Sequence, residues 1–271
     1  MDEVSIDMLG GKGYNLVKLA NNGFQVPNAF IICTESFKEC KAMWFDKYKD
    51  VKISEISDEL IDQIQKEFDN QEMKKDVMDE IQNEVQLLVE NSPIPSPLLA
   101  VRSSGIAEDL DNASFAGMND TILNVPSDLQ SICKAVKQCW KSLYSRRSIE
   151  YRIQHHFPAL DTAIAVVVEI MIPSEKAGVA FTADTQTGSR SHICIDGVQG
   201  MGEALVSGLV NTDHWVLRKT SLKHSWYIEE EFIGKQEFKL VSNYPKEGTT
   251  QVSLSEEEAK TPAFSNAQVF F

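Results

Sequence analysis

The residues best suited to chemistry lie between Ala100 and Val125, where a single arginine follows a short apolar run. Leu98 to Val101 predicts a strand that delivers Arg102, and a long loop of small and polar residues leads to a second strand, Thr121 to Val125. Loops of that length usually bind something, and Ser, Gly and Ala let backbone N–H groups approach phosphate oxygens. Arginine suits phosphate because its planar fork donates two parallel hydrogen bonds and stays protonated. The segment therefore predicts an anion site for a phosphorylated ligand; the alternative is a surface loop with a salt-bridged Arg102.

A second candidate cation, Lys12, stands among Gly10, Gly11 and Gly13, just before a predicted helix over Tyr14–Asn21. An ammonium and several backbone N–H groups near a helix N-terminus favour anions. The segment is not a P-loop, because the Gly-x-x-x-x-Gly-Lys-Ser/Thr spacing is absent. Taken alone, such a segment is more often a plain turn. The residue types therefore leave both an anion-binding site and a plain turn open.

Apolar periodicity predicts the elements that must position these residues. From Asp46 to Glu90, fourteen acidic residues stand against six lysines, and apolar residues recur every three or four positions. This pattern is typical of amphipathic helices with a solvated acidic face. We also expect a helix from Thr34, capped by Thr34 or Ser36, and one or two helices over Ser127–His155, capped by Ser127 or Asp128. The expected further strands are Ala29–Cys33, Ala163–Ile172, Gly178–Thr182, His192–Asp196 and Trp215–Lys219.

Composition narrows the classes of partner and compartment. The chain has 271 residues and a net charge of −14, which argues against duplex nucleic acid or an anionic membrane as a partner. No apolar run is long enough for a transmembrane helix, and the acidic N-terminus lacks the features of a secretory signal. The five cysteines are scattered without metal-ligand spacing, as expected of reduced thiols in a cytoplasmic protein.

Six segments, in order, resemble the nucleotide-binding domain of the phosphoenolpyruvate synthase and pyruvate, phosphate dikinase family, which includes the rifampicin phosphotransferases. The clearest are Gly-Gly-Lys-Gly-x-Asn-Leu, Val-Arg-Ser-Ser with Ala-Ser-Phe-Ala-Gly, and Cys-Trp-x-Ser-Leu-Tyr-Ser. The segments are Gly10–Leu16, Gly23–Phe30, Ala100–Val125, Cys139–Ser145, Ala165–Thr182 and Gly200–Gly208.

The resemblance implies an α+β (mixed α/β) class and an ATP-grasp-like fold, in which nucleotide lies in a cleft between two subdomains. We expect an N-terminal subdomain over residues 1–95, with the acidic helical insertion, and a central subdomain over 96–254. Residues 255–271 form an atypical tail that replaces the family's last strands.

By resemblance, Lys12 and Arg102 are the catalytic cations that contact the nucleotide phosphates. Two departures from the family pattern stand out: Met118-Asn119 occupies a position where most relatives carry Gln-Gln or Gln-Glu, and Glu169 stands where most carry Gln. A carboxylate cannot donate a hydrogen bond unless it is protonated, which puts the nucleobase preference in doubt. The implied nucleotide-binding residues are Gly11, Lys12, Arg102, Gly117, Met118, Asn119, Thr121, Glu169, Met171, Glu203 and Asp213.

The family passes a phosphoryl group from ATP to a histidine on a separate domain and then to an acceptor. The Thr-x-His motif of that domain does not occur in this sequence, and we expect the five histidines to be structural or surface groups. The resemblance therefore implies ATP and Mg²⁺ as cofactors. It also implies a phosphohistidine domain and an acceptor-binding domain as partners, in trans or in a longer chain. The alternatives are a non-catalytic nucleotide-binding module and an interaction protein that uses the acidic helices.

The last residues differ from the family pattern. Ser255 and Glu258 form a capping-box start for a helix that Pro262 ends within about two turns. The relatives' following strands, which carry the metal and phosphate ligands, have no counterpart, so the metal ligands stay unknown. We expect a truncated or aberrantly spliced domain whose apolar tail lacks a core partner; the tail's large apolar residues are Phe264, Val269, Phe270 and Phe271.

Overall fold

A computed structural model describes residues 4–269 apart from 107–108, 111–112, 115–119, 221–224, 244–245 and 247, and it leaves out the side chains of 109–110 and 113–114. The chain divides into two compact units, Met1–Met171 and Ile172–Phe271. Helices combine with several antiparallel sheets, so the predicted α+β class is confirmed and is consistent with an ATP-grasp-like domain. Within the described residues, every helix is too short or too polar to cross a membrane.

The first unit contains six α-helices and six strands among the described residues. Its helices are α1 (Ile6–Asn21), α2 (Thr34–Ala42), α3 (Asp58–Asn70), α4 (Lys75–Glu90), α5 (Leu129–Ser142) and α6 (Arg146–Gln154), with 3₁₀ turns at Phe45–Lys47 and Ile53–Glu55. Its strands are β1 (Ala29–Ile32), β2 (Leu99–Gly105), β3 (Asp109–Leu110), β4 (Ala113–Ser114), β5 (Thr121–Val125) and β6 (Ile164–Ile170).

A four-stranded antiparallel sheet in the order β1-β6-β2-β5 holds the first unit together. All seven residues of β6 are buried, as the continuous apolar run predicts for a strand covered on both faces. Because β1 pairs with β6, residues before and after position 95 share one sheet. The two compact units divide after Met171, and the predicted subdomain boundary between residues 95 and 96 stays a prediction.

The acidic segment folds as the amphipathic helices that its spacing predicts. Ile64 and Phe68 on α3 and Ile81 and Val85 on α4 are buried, and they join a core that includes Trp140 of α5. Phe68 lies 4.9 Å, centroid to centroid, from the ring of Trp44 in an edge-on arrangement, a geometry that aromatic quadrupoles favour. The acidic side chains face solvent because the apolar stripe takes the core side.

The predicted helix caps have mixed outcomes. Asp128 caps α5 by accepting a hydrogen bond from the Ser131 amide at 2.9 Å, which confirms that prediction. The prediction for α2 is wrong: its N-cap is Cys33, without a side-chain cap. Thr34 instead donates its hydroxyl to the carbonyl of Asp7 at 2.7 Å and so attaches α2 to α1.

The second unit contains a four-stranded antiparallel sheet in the order β10-β9-β8-β7 and a two-stranded β11-β12 ribbon. Sequence periodicity did not predict β10, whose Glu-Glu-Glu run interrupts the apolar pattern, nor the two ribbon strands. The elements are β7 (Lys176–Phe181), β8 (His192–Gln199), α7 (Glu203–Val206), β9 (Asp213–Lys219), β10 (Trp226–Phe232), β11 (Phe238–Ser242), β12 (Thr249–Ser253), a 3₁₀ turn Glu258–Lys260 and α8 (Asn266–Val269).

The C-terminal segment is packed, and the expectation that its apolar residues lack a core partner is wrong for the described ones. Phe264 lies 6.2 Å, centroid to centroid, from the ring of Trp215. It also covers Gly178 and Gly197, where an added Cβ would fall about 3 Å or less from its ring. Val269 is buried in the same cluster. The absence of side chains at Gly178 and Gly197 thus leaves room for the Phe264 ring against the sheet. Phe270 and Phe271 lie outside the described residues.

The cysteines should differ sharply in reactivity. All five are free thiols, and burial raises the pKa of Cys139 to about 12, whereas Cys133 is only partly buried. Since the thiolate is the nucleophile, iodoacetamide at pH 8 should alkylate Cys133 well before Cys139. Peptide mass spectrometry over time checks this, with urea-unfolded protein as the control. Equal alkylation rates in the folded protein would contradict the packing of α5 against β2.

Candidate functional site

The two predicted cations line one pocket in the first unit. Its volume is ≈ 250 Å³, and it is lined by Lys12, Asn15, Leu16, Leu19, Arg102, Val167 and Glu169. Side chains of α1 form one wall, and those of β2 and β6 form the other. Lys12 and Arg102, which lie ninety positions apart in the chain, therefore line the same pocket. The volume falls just below the roughly 300–1,000 Å³ of typical ligand pockets, which suits the phosphate end of a ligand.

Arg102 is held by a carboxylate of the neighbouring strand. Its Nη1 donates to Glu169 Oε1 at 2.9 Å, and the side chains are 42% and 11% exposed, respectively. The Arg102 Nε is buried and has no hydrogen-bond partner within the described part of the chain. The salt-bridged alternative for Arg102 is thus present in the structure, and its partner is itself a predicted site residue.

The Gly-Gly-Lys-Gly segment is bent at Gly10, where φ is +66° and helical geometry breaks inside α1. A left-handed conformation of this kind favours glycine. The Ser104 hydroxyl spans the bend, since it donates to the Leu9 carbonyl at 2.7 Å and accepts from the Gly13 amide at 2.9 Å. Ser104 is fully buried. Through it, strand β2 fixes the backbone on both sides of Lys12.

Ser103 plays a similar part for Asp120, the residue that precedes β5. Its hydroxyl and amide both donate to the Asp120 carbonyl, at 2.7 Å and 3.2 Å. Sequence reasoning missed the roles of both serines, because it used them only as part of the Val-Arg-Ser-Ser motif. Their place directly after Arg102, at the end of a buried strand, was the available signal.

Thr121 stands opposite Arg102 in the β2–β5 pairing and is exposed, so both side chains lie on the same face of the sheet. Val167 continues this row on the other side of Arg102. The predicted loop residues Gly117, Met118 and Asn119 lie outside the described residues.

The segment Glu169–Met171, two of whose residues the resemblance places in the nucleotide site, has part of its backbone hydrogen-bonded to neighbouring strands or the residues that precede them. The Ile170 amide donates to the Asn28 carbonyl at 3.0 Å, and the Met171 amide donates to the Leu98 carbonyl at 2.9 Å. Any base recognition here must therefore use other backbone groups of the segment.

Glu203 and Asp213, the remaining predicted residues, belong to the second unit. Glu203 accepts a hydrogen bond from the Thr249 hydroxyl at 3.3 Å. Asp213 is fully buried and accepts from the amides of Gly234 at 2.9 Å and Ala263 at 2.6 Å. Burial raises the pKa of its carboxyl. In this structure Asp213 attaches the C-terminal segment to β9.

Magnesium has no ready ligand set in the part of the chain that the structure describes. No group of three or more His, Cys, Asp or Glu side chains there is placed to hold a metal ion. Mg²⁺ is commonly bound by one or two carboxylates together with substrate phosphates rather than by the protein alone.

The fold and the cationic pocket are consistent with a nucleotide-binding domain, and comparison with known proteins shows the family. Residues 6–270 match the family described as "Pyruvate phosphate dikinase, AMP/ATP-binding domain". The chain belongs to this family, as the motifs predict.

Several curated relatives are similar over most of the chain. A probable phosphoenolpyruvate synthase of Archaeoglobus fulgidus is 36% identical over 99% of this chain and 36% of its own length. The phosphoenolpyruvate synthase of Pyrococcus furiosus is 31% identical over 97% of this chain and 36% of its own length. A rifampicin phosphotransferase of Bacillus cereus is 34% identical over 82% of this chain and 26% of its own length. The chain thus spans about a third of the length of such relatives.

Proposed function

We propose that this chain is the ATP-binding domain of a phosphoenolpyruvate synthase-like phosphotransferase, which passes a phosphoryl group from ATP to a histidine on a separate domain. The observation that carries the proposal is the pocket that Lys12 and Arg102 line together. Membership of an AMP/ATP-binding family supports nucleotide as the ligand.

In this proposal the phosphates bind between α1 and β2. The Lys12 ammonium and the Arg102 guanidinium supply positive charge, and the Gly11 backbone lies beside them. The Thr121 hydroxyl, on the same sheet face as Arg102, adds a donor, and by resemblance Gly117, Met118 and Asn119 are further candidate contacts of the phosphates. The base lies toward Glu169–Met171, and Glu203 and Asp213 stay weaker candidates for the ribose or metal. Phosphoryl transfer depends on positioning and charge more than on covalent chemistry by the protein.

Arg102→Ala should weaken ATP binding about 10- to 100-fold, because a charge-assisted contact to phosphate contributes roughly 1.5–3 kcal/mol. Isothermal titration of wild type and variant with ATP and magnesium measures the difference. Adenosine, which lacks phosphates, should bind both proteins equally. Arg146→Ala, which removes an exposed arginine of the same unit, is the matched control. Equal ATP affinity of wild type and Arg102→Ala would refute the site, and absence of ATP binding would favour an interaction protein.

The catalytic proposal and its alternative, a non-catalytic nucleotide-binding module, differ in one measurable step. Adding a separately expressed phosphohistidine domain of a relative with [γ-³²P]ATP and [β-³²P]ATP should label that domain if the chain is competent. ATP binding without label transfer would favour the non-catalytic module. Label transfer that survives Lys12→Ala and Arg102→Ala together would show that these residues are not the catalytic cations.

A further inference from the structure

The pocket contains an acid as well as its two cations. Glu169 is largely buried, and its Oε1 forms a salt bridge with Arg102 Nη1 at 2.9 Å. The positive charge of Arg102, one of the two in the pocket, is therefore already neutralised. A phosphate that enters the pocket must compete with this carboxylate for the guanidinium, and it also meets the carboxylate's negative charge at short range.

The pairing leaves Arg102 incompletely satisfied. A guanidinium has five N–H donors, Glu169 engages one of its terminal nitrogens, and the buried Nε has no partner within the described residues. At the same time the Arg102 side chain is 42% exposed, so a ligand can reach it. A buried donor without a partner costs free energy, so the unpaired Nε disfavours the Arg102 conformation that is paired with Glu169. Arg102 can therefore exchange this conformation for one that contacts a ligand.

We propose that Glu169 is a specificity-determining residue that acts as an internal counterion of Arg102 and weakens the binding of phosphorylated ligands. This proposal rests on the proposed nucleotide site. Ligand phosphate and the Glu169 carboxylate compete for the same guanidinium, so affinity for ATP is held down while affinity for an uncharged nucleoside is not. The carboxylate thereby sets how readily the domain releases its phosphorylated ligands.

The test is titration of wild type, Glu169→Gln and Arg102→Ala with MgATP and with adenosine at two ionic strengths. Glu169→Gln keeps the shape of the side chain and removes its charge, so ATP should bind about tenfold more tightly, the scale of one partly screened charge. Adenosine affinity should change much less than ATP affinity, because Glu169 adjoins the proposed base segment but competes only with phosphate for Arg102. The gain for ATP should shrink at high salt. Glu150→Gln, which removes an exposed carboxylate from the Arg146 pair, controls for net charge.

The outcomes separate this proposal from the proposed function. If Arg102→Ala weakens ATP binding but Glu169→Gln binds ATP no better than wild type, the counterion role is overturned and the nucleotide site stands. If Glu169→Gln tightens ATP and adenosine alike, the effect is not competition for phosphate, and the proposal also falls. If Arg102→Ala has no effect on ATP binding, the proposed site itself fails. Should Glu169→Gln not fold, Glu169→Met, which is neutral and similar in length, gives the same readout.

Discussion

Replacing Gly10 by alanine should abolish ATP binding and destabilise the first unit by on the order of 4 kcal/mol, the range of severe single substitutions. Gly10 has a φ of +66°, and a Cβ there would lie 2.0 Å from the Ser104 carbonyl oxygen and 2.4 Å from the Ser104 hydroxyl oxygen. The first contact is with backbone of a buried strand, which cannot move aside cheaply. Relief of the clash must displace either the bend of α1 or strand β2, and these carry Lys12 and Arg102.

Gly23→Ala is the matched control. Gly23 also has a positive φ, +79°, but no atom lies within 4 Å of an added Cβ. Its cost is therefore limited to the left-handed backbone, about 1–2 kcal/mol, and ATP affinity should be retained. Urea unfolding followed by circular dichroism and titration with ATP measure the two effects. A Gly10→Ala protein that unfolds and binds like Gly23→Ala would contradict the close approach of α1 to Ser104.

Replacing Asp213 by alanine should destabilise the second unit by about 4 kcal/mol, because two buried N–H groups lose their acceptor at roughly 1–3 kcal/mol each. These donors are the amides of Gly234 and Ala263. Ala263 is fully buried and precedes Phe264, which packs on Trp215. Loss of the carboxylate should therefore release the C-terminal segment as well as lower the urea midpoint.

Hydrogen exchange followed by mass spectrometry locates this effect. Peptides that cover residues 258–269 should exchange much faster in Asp213→Ala than in wild type, while peptides from α3 and α4 should not change. Asp213→Asn keeps one acceptor oxygen and should cost about half as much. If Asp213→Ala leaves protection of the C-terminal segment intact, the segment is held by Phe264 packing alone.

Much of the fold follows from local sequence pattern. The alternation of apolar and acidic residues over 46–90 determines α3 and α4, and the β-branched run before Ile172 determines β6. Strands β10 and β12 escaped prediction because most of their residues are polar or exposed. Their pairing depends on neighbours distant in the chain, and a local pattern does not contain that information.

For the candidate site, the amino-acid sequence alone predicted the kind of ligand, because a lysine among glycines and an arginine at a strand end suit phosphate and match the family's motifs. Only the tertiary structure decided which residues neutralise and support these two cations. The antiparallel pairing of β2 with β6 places Glu169 against Arg102, and the approach of β2 to α1 makes Ser104 the support of the Gly10 bend. Both contacts join residues more than sixty positions apart, and such contacts arise only when burial of the apolar strands fixes their register.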